Sequence, residues 1–392
     1  MSTIQLSGFT PDSIVSALPA HVQVYVVGGA VRDELLGRPK SDRDWVVVGA
    51  TPQLMLQAGF KAVGADFPVF LHPVTREEYA LARTERKSGH GYKGFVFYSD
   101  ADVTLEQDLL RRDFSINAMA MNAQGQLLDP LSGLADLQAG VFRHVSDAFA
   151  EDPLRVLRLA RFLARFTDFR VDESTLGLCA HLRSTGELQH LVAERVFAEL
   201  HRGMSETKPS RMVALLQTLH AWETLTEGLP EPFSGMSTAS LDLLDAMPNA
   251  DARWLYGLGL HMPTQRISAL AKHWRMPVAL EDAARVCALL HGFFQQVNPS
   301  LDDWLNLFNT VDVYRKPERL LSTVDVLARS GLGTSPLALV ELAAKQVLTG
   351  EYKQGLRTAM QAEASVTPAD LAATYKRRWV QALLVGKLPQ SV

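Results

Sequence analysis

The sequence has little of what marks secreted or membrane-spanning proteins. Its 392 residues include two cysteines, Cys179 and Cys287, which are too far apart for a metal-binding spacing, and scarce cysteine is typical of a reducing cytoplasm. No apolar run approaches the ~20 residues that span a bilayer, and residues 1–20 lack the basic start and long apolar centre of a secretory signal. We therefore expect a cytoplasmic protein without membrane contact.

An excess of positive charge is also absent. The chain carries 39 Lys and Arg against 43 Asp and Glu, which gives a formal net charge of -4. Any surface for nucleic acid must then be local rather than spread over the whole protein. Hydrophobic residues make up 47% and charged residues 21%, so the composition is that of an ordinary globular chain with room for several domains.

Two acids open a β-rich run, Asp42-Arg43-Asp44-Trp45-Val46-Val47-Val48. Side chains at positions i and i+2 of a strand share a face, so Asp42 and Asp44 would present two carboxylates side by side. Like charges at that separation repel each other and raise one pKa unless a cation is bound. The pair suits divalent metal ions that clamp the oxygens of a phosphoryl transfer, although an isolated Asp-x-Asp also occurs as two solvated surface acids.

A glycine turn precedes the acids. Residues 24–27 are apolar and predict a buried strand ending at Gly28-Gly29, and residues 30–36 predict a short helix. Glycine lets backbone N–H groups approach a phosphate where a helix begins, and Arg32 lies one turn further along. The order strand, turn, helix, acid pair therefore predicts a site for phosphate transfer.

Arg111-Arg112-Asp113 lies further along, after a segment that predicts a helix capped by Thr104. The planar fork of an arginine matches phosphate oxygens with two parallel hydrogen bonds, so Arg112 is a candidate clamp for a triphosphate. The alternative is an i,i+4 ion pair between Asp108 and Arg112.

A stripe of arginines marks a second candidate site. Its members recur at three- and four-residue spacing on one predicted helix, namely Arg155, Arg158, Arg161 and Arg165. Without interleaved acids they would repel one another unless anions such as nucleotide or RNA phosphates lie opposite. Pro153 suits the first helical position, so Asp152 is expected to cap this helix.

Asp152 and Arg155 also suit base selection. Cytosine and adenine both present an amino donor beside a ring acceptor, which a carboxylate and a guanidinium match, whereas guanine and uracil present a carbonyl and an N–H. A mispaired contact costs about 1–3 kcal/mol. One Asp and one Arg can thus accept C and A and reject G and U, and capping and base reading remain alternative roles for Asp152.

These segments together resemble the class II (bacterial-type) tRNA CCA-adding enzymes, which are tRNA nucleotidyltransferases of the polymerase β superfamily. The similarity rests on VVGGAVRD and DRDWVVVG, on TERKSGHGYKGF, on LLRRDFSINA, on EDPLR and on ERVFAEL. It is dense over residues 24–165 and thin beyond about residue 200.

The resemblance implies template-independent addition and repair of the 3′-terminal CCA of tRNA from CTP and ATP, with release of diphosphate. It implies Mg²⁺ on the catalytic pair Asp42 and Asp44. It implies a nucleotide-binding set formed by Gly28, Gly29, Arg32, Arg112, Asp152, Arg155 and Arg158. Partners would be tRNA and the two nucleotides, and we expect a monomer.

Two segments are left with alternatives. Glu78 opens a predicted strand and is either a third metal-binding acid, as in many polymerase β relatives, or a strand-edge charge. Residues 84–94 are polar and glycine-rich and predict a mobile loop. The basic side chains of this loop are Arg86, Lys87 and Lys93, and Arg83 lies just before it. They either bind phosphates or are exposed to solvent.

The predicted fold class is α+β. We expect a polymerase β-like head at residues 1–140 and an all-helical remainder, with a neck at 141–226, a body at 241–330 and a tail at 331–392 that contacts tRNA. Some relatives carry a metal-dependent phosphohydrolase in the body, marked by a His-Asp dyad. None of the 11 histidines here is followed by Asp, so we expect a body without hydrolase activity.

Three rival functions remain at this stage. A bacterial poly(A) polymerase would share the head, but those relatives carry a strongly basic tail that this chain lacks. An enzyme that adds only the terminal A, or only the two Cs, would also fit. A catalytically silent RNA-binding homologue is disfavoured by the intact acids Asp42 and Asp44.

Overall fold

The computed structural model describes residues 4–39, 42–63, 69–87, 95–98, 101–332, 334–362 and 367–386. The chain forms two compact units, Met1–Val192 and Ala193–Val392. The first combines a mixed sheet with helices and the second is built from helices in its described part, which confirms the predicted α+β class. The four-domain division stays a prediction. Of the predicted loop 84–94, residues 88–94 lie outside the described residues.

The first unit contains seven α-helices and eleven short strands within the described residues. The strands are β1 (Gln23–Val27), β2 (Asp44–Val48), β3 (Lys61–Val63), β4 (Val69–Leu71), β5 (Glu78–Leu81), β6 (Thr84–Lys87), β7 (Phe95–Tyr98), β8 (Ala120–Met121), β9 (Leu127–Leu128), β10 (Val141–Phe142) and β11 (Arg170–Val171). The helices are α1 (Ser13–Ser16), α2 (Gly29–Leu35), α3 (Pro52–Gln57), α4 (Leu105–Leu110), α5 (Gly133–Ala139), α6 (Leu154–Arg165) and α7 (Glu173–Ser184).

One seven-stranded sheet carries the acids, in the order β3-β4-β5-β2-β1-β8-β9. Strand β2 pairs antiparallel with β1, which places Asp44 opposite Val27. It pairs parallel with β5, which places Asp44 opposite Glu78. Strand β2 begins at Asp44 rather than at the predicted Asp42, and β3 pairs antiparallel with β4.

The two faces of this sheet bury different side chains. Trp45 and Tyr79, which are in register, stack at 5.0 Å with an interplanar angle of 3°, and Phe9 and Phe60 pack beside them. The opposite face buries Val27, Val46 and neighbouring apolar groups against Leu105 and Leu109 of the α4 segment. Because side chains alternate along a strand, Asp44 and Glu78 lie on this second face, at its open end.

The second unit contains twelve α-helices within its described residues. They are α8 (Ala193–Met204), α9 (Pro209–Thr218), α10 (Ala221–Leu225), α11 (Thr238–Ala246), α12 (Ala250–Trp254), α13 (Thr264–Trp274), α14 (Val278–Phe293), α15 (Leu301–Thr310), α16 (Glu318–Arg329), α17 (Thr334–Leu348), α18 (Glu351–Ala362) and α19 (Pro368–Leu384). Among the described residues, no helix combines the length and the apolar character needed to cross a bilayer.

A cluster of large aromatic side chains organises the start of this unit. Trp254 packs against Phe233 at 5.6 Å and Trp274 at 6.0 Å, and Trp222 contacts both of these. The chain after Trp254 continues as a π-helix over Leu255–Gly259. A Cβ on Gly257 would lie 2.0 Å from Cε1 of Phe233. The cluster therefore requires a residue without a side chain at this position.

Gly257→Ala tests this packing against a matched glycine. We expect it to lower the stability of the second unit by about 1–3 kcal/mol, because the Phe233 ring cannot move without disturbing its neighbours. Gly292→Ala on α14 is the control, since a Cβ there meets nothing within 4 Å, and it should raise stability by about 0.5–1 kcal/mol. Denaturant unfolding of both variants measures the difference, and equal effects would contradict the packing account.

Candidate active site

Three carboxylates gather at one end of the sheet. Asp42 and Asp44 are both exposed, two residues apart, and Glu78 is exposed on the neighbouring strand. The parallel register sets Glu78 directly across from Asp44, and the stacked pair Trp45 and Tyr79 occupies the opposite face. The structure thus places Glu78 at the same end of the sheet as Asp44.

The electrostatics of Asp44 point to a cation. Burial raises the pKa of Asp44, and the charge of Asp42 raises it further, while Arg112 and Arg158 oppose that shift. The net rise in pKa comes from desolvation, because the effect of Arg112 is larger than that of Asp42. Within the described residues, no three His, Cys, Asp or Glu side chains form a ready metal cage. The acids form an open site that fits a metal ion whose remaining ligands come from nucleotide or water.

Gly28 and Arg112 form a close contact beside these acids. Gly28 begins α2 with φ of 69°, a left-handed value that favours glycine. A Cβ on Gly28 would lie 3.1 Å from Nη1 of Arg112. The guanidinium of Arg112 therefore lies directly beside the backbone of the glycine turn.

Asp108 holds Arg112 from behind. Its buried carboxylate accepts from Arg112 Nη2 at 3.1 Å and from Arg111 Nη2 at 2.9 Å. Burial by itself raises the pKa of Asp108, but the charges and hydrogen bonds of Arg112 and Arg111 outweigh it, and the pKa lies below the usual value. The i,i+4 pair considered from the sequence is therefore present, and it is compatible with phosphate binding because it fixes the guanidinium.

Arg32, an expected nucleotide-binding residue, is buried. Its side chain is 3% exposed. Nε donates to Asp33 Oδ1 at 2.9 Å, Nη2 lies 2.8 Å from the same oxygen, and Nη1 donates to Asn117 Oδ1. Burial lowers the pKa of Arg32 and Asp33 counteracts that shift. All three guanidinium nitrogens engage protein side chains in this structure, and the contact of Arg32 with the nucleotide stays a prediction.

The N-terminal end of α6 carries the predicted base-reading pair. Helix α6 begins at Leu154, with Pro153 at the cap position, one residue later than predicted. Asp152 Oδ1 nevertheless accepts from the backbone N–H of Leu154 at 3.2 Å. Arg155 is buried and donates to the backbone carbonyls of Ala148, at 2.7 Å, and Arg111. The capping contact of Asp152 is thus present, and Arg155 is oriented by main-chain acceptors.

Arg158, one turn further along α6, binds a carboxylate. Its Nε and Nη2 lie 2.8 Å and 2.7 Å from Asp113 Oδ2. Asp113 is buried, which by itself raises its pKa, but Arg158 and Asn117 overcome that effect and hold the pKa at about 2. Arg158 also lowers the pKa of Asp44. Its guanidinium is therefore close enough to the acids to act on them while it binds Asp113.

Three polar residues of the site were not singled out from the sequence: Asp33, Asp113 and Asn117. Each is buried and contacts at least one arginine or another member of the set. The one indication in the sequence is that both acids directly follow an arginine: Asp33 follows Arg32, and Asp113 follows Arg112. A buried guanidinium requires a nearby acceptor, and an acid beside an arginine in an apolar segment is a candidate for it.

Comparison with known proteins adds independent findings. Residues 24–143 match the poly A polymerase head domain, and residues 168–231 match the probable RNA and SrmB-binding site of polymerase A. The CCA-adding enzyme of Bordetella pertussis is 49% identical over 324 residues, covering 82% of this chain and 85% of that protein. The multifunctional CCA protein of Aromatoleum aromaticum is 45% identical over 355 residues, covering 80% and 87%.

Solved structures show the same fold. The CCA-adding enzyme of Bacillus stearothermophilus in complex with CTP superposes with a TM-score of 0.65 at 22% identity, covering 95% of this chain and 91% of that one. The Thermotoga maritima CCA-adding enzyme complexed with tRNA superposes with a TM-score of 0.61 at 21% identity. The superposition covers 100% of this chain and 97% of that one. With the carboxylates, the glycine turn and the arginine helix in one unit, these similarities show that the chain belongs to the CCA-adding enzyme family of tRNA nucleotidyltransferases.

Proposed function

We propose that this chain builds and repairs the 3′-terminal CCA of tRNA from CTP and ATP, in the cytoplasm and as a monomer. The observation that carries the proposal is the convergence of the acids with the arginines of two other segments, seen in the combined influence of Asp42, Arg112 and Arg158 on Asp44. A metal-binding pair, a phosphate clamp and a base-reading helix are what nucleotide transfer without a template requires. Relatives carrying names for this activity cover over four-fifths of the chain.

Asp42 and Asp44 would hold Mg²⁺, with Glu78 as a third ligand. When bound, the metal would supply charge for the α-phosphate and lower the pKa of the attacking 3′-hydroxyl of the RNA. The exposed acids fit this cation because a divalent ion would neutralise two carboxylates that repel each other at the end of the sheet. The protein's own contribution is positional, since the register of β2 and β5 sets the spacing of the carboxylates before any ligand arrives.

Gly28, Gly29 and Arg112 would bind the triphosphate. Glycine at position 28 leaves room for the Arg112 guanidinium beside the turn, and Asp108 binds that guanidinium from the other side. A fixed guanidinium loses little freedom when it binds phosphate oxygens. Arg32 would support α2, and its contact with the nucleotide stays a prediction.

Asp152, Arg155 and Arg158 would select the base. In their pairing edges, C and A present the amino donor and ring acceptor that the Asp152 carboxylate and the Arg155 guanidinium complement. Arg155 would exchange its contacts with Ala148 and Arg111 for contacts with a correct base. An incorrect base would offer the guanidinium a donor instead of an acceptor, so the guanidinium would keep its carbonyl partners and the base would bind more weakly by about 1–3 kcal/mol.

The helical segments after α6 would bind the body of the tRNA. Residues 168–231 support this role through their match to an RNA-binding model. The proposed neck (141–226), body (241–330) and tail (331–392) would each contribute contacts with tRNA. The body would contribute no phosphohydrolase activity, since its histidines lack an adjacent Asp.

The decisive experiment supplies the purified protein with tRNA lacking CCA and with CTP and ATP singly and together. We expect two Cs with CTP alone and complete CCA with both, after which addition stops. Long A tails would identify a poly(A) polymerase, partial addition would identify an A-only or CC-only enzyme, and no incorporation would identify a silent homologue. Any of these three results would overturn the proposal.

Asp42→Ala should lower incorporation by about a thousandfold, because the loss of a metal ligand removes several kcal/mol of transition-state stabilisation. Binding of tRNA, measured by filter retention, should stay near that of the unaltered protein. Asp102→Ala removes another exposed acid of the same unit and should leave activity unchanged. Retained activity in Asp42→Ala, or lost tRNA binding, would contradict the metal role.

Glu78→Gln should lower kcat by at least about tenfold and raise the Mg²⁺ concentration for half-maximal rate, because an amide is a weaker metal ligand than a carboxylate. The matched control is Glu77→Gln, since Glu77 precedes Glu78 and its carboxylate accepts from Thr75 Oγ1 at 3.1 Å. The control should retain normal Mg²⁺ dependence. Identical profiles for both variants would make Glu78 a strand-edge charge.

Arg155→Ala should loosen base choice more than it weakens triphosphate binding. We expect the preference for CTP over UTP, as a ratio of kcat/KM, to fall about 10- to 100-fold, in line with 1–3 kcal/mol of lost discrimination. Steady-state kinetics with each nucleotide measure the ratio. Equal losses for all four nucleotides would count against base reading by this residue.

A further inference from the structure

Asp33 joins the helix after the glycine turn to the helix that would read the base. Its carboxylate is 2% exposed and binds two guanidinium groups. Oδ1 accepts from Arg32 on the same helix, α2, and Oδ2 lies 3.0 Å from Nη2 of Arg165 at the C-terminal end of α6. A buried acid with two arginines on different helices fixes the distance between those helices.

Asn117 continues the connection from Arg32 to a second acid. Its Oδ1 accepts from Arg32 Nη1, and its Nδ2 donates to Asp113 Oδ1 at 3.0 Å. Both functions of the amide are used, and the residue is 6% exposed. Neither a carboxylate nor an apolar side chain of this size could accept from Arg32 and donate to Asp113 at once.

The connection then returns to α6. Asp113 Oδ2 binds Arg158 on α6, two turns before Arg165. The result is one buried polar chain that begins and ends on the same helix: Arg165, Asp33, Arg32, Asn117, Asp113 and Arg158. It passes through the turn helix α2 and through the segment that follows Arg112, so three parts of the proposed site share it.

Two phenylalanines of the α6 segment close the space around this chain. The guanidinium of Arg32 lies 5.4 Å from the centre of the Phe162 ring and 5.0 Å from that of Phe166. Phe166 also meets the guanidinium groups of Arg38 and Arg165, at 4.3 Å and 5.4 Å. Cations over aromatic faces are attracted to them, and the rings keep water from replacing the internal hydrogen bonds.

Breaking one link would leave charged groups without partners, because the chain alternates guanidinium groups with acceptors. The loss of Arg165 leaves Asp33 with one cation instead of two, and the loss of Asn117 separates Arg32 from Asp113. Such a chain resists small displacements. It therefore fixes α6, which carries Asp152 and Arg155 at its start, relative to the Gly28 turn at the start of α2.

We propose that Asp33, Asn117 and Arg165 are positioning residues for nucleotide selection, which hold the triphosphate turn and the base-reading helix at one fixed separation. The inference rests on the proposed function. A correct base can reach Asp152 and Arg155 only when its triphosphate lies at the turn, so a fixed separation favours bases of the right geometry. Weakening this buried polar chain would let α6 shift relative to the turn, so that incorrect bases could also reach Asp152 and Arg155. The proposed metal-binding acids would be unaffected.

Arg165→Gln is the main test, because Arg165 is partly exposed and its replacement leaves the fold intact. We expect the preference for CTP over UTP in kcat/KM to fall about tenfold, since displacements near 1 Å change rates by such factors. The Mg²⁺ concentration for half-maximal rate should change less than about twofold. Arg165→Lys keeps the charge beside Asp33 and should recover part of the preference.

Arg143→Gln is the matched control. Arg143 pairs with two acids of the same unit, Asp136 and Asp172, but it touches neither α2 nor α6. This variant should show a similar loss of thermal stability and an unchanged preference. A purely structural role for Arg165 would give equal preferences in both glutamine variants, and that result would overturn the proposal.

Asn117→Ala supplies a second variant, which should match Arg165→Gln in its lowered preference if it folds. If the unaltered protein transfers no nucleotide, the proposed function fails and hydrogen exchange decides this inference alone. Faster amide exchange over residues 29–35 in Arg165→Gln, and not in Arg143→Gln, would support the fixed separation. Unchanged exchange in both variants would overturn it.

Discussion

A guanidinium removed from water needs acceptors for its protons, and this constraint shapes the first unit. Arg32, Arg112, Arg155 and Arg158 each meet a carboxylate or main-chain carbonyls. The buried acids Asp33, Asp108 and Asp113 are the compensating charges. A buried ion held in this way is costly to separate from its partner, so the arginines reach the site in defined positions rather than as flexible surface chains.

Asp42 and Asp44 differ from these buried acids in their exposure. Both are exposed, and their mutual repulsion contributes to the raised pKa of Asp44 although Arg112 and Arg158 are near enough to oppose it. The protein balances its buried arginines with its own acids and carbonyls, whereas on the proposed function the paired acids would bind an external cation. This contrast separates side chains that build the site from those that meet ligands.

The exposed acids and the arginines of α6 are easier to predict from the sequence than the buried partners of those arginines. The spacing of Asp42 and Asp44 is typical of one face of a strand, and the spacing of the α6 arginines is typical of one face of a helix. Both patterns can be recognised because they lie within a few consecutive residues. The partners Asp33 and Asn117 are ordinary residues in the sequence, and their roles depend on contacts 132 and 85 positions away. The contacts that bury the guanidinium of Arg32 were not predictable from the sequence for the same reason.

The contacts of Arg155 explain how a base reader can remain stable between reactions. An unpaired buried guanidinium would be costly, and here it donates to the carbonyls of Ala148 and Arg111. On the proposed role, a correct base replaces one set of acceptors with another, so little free energy is lost in the exchange. A wrong base offers donors instead and competes poorly with the carbonyls, which keep the guanidinium. Selection then depends on the acceptors that the protein already provides, and the carbonyl of Arg111 lies directly beside Arg112, so base reading and phosphate binding share one segment of backbone.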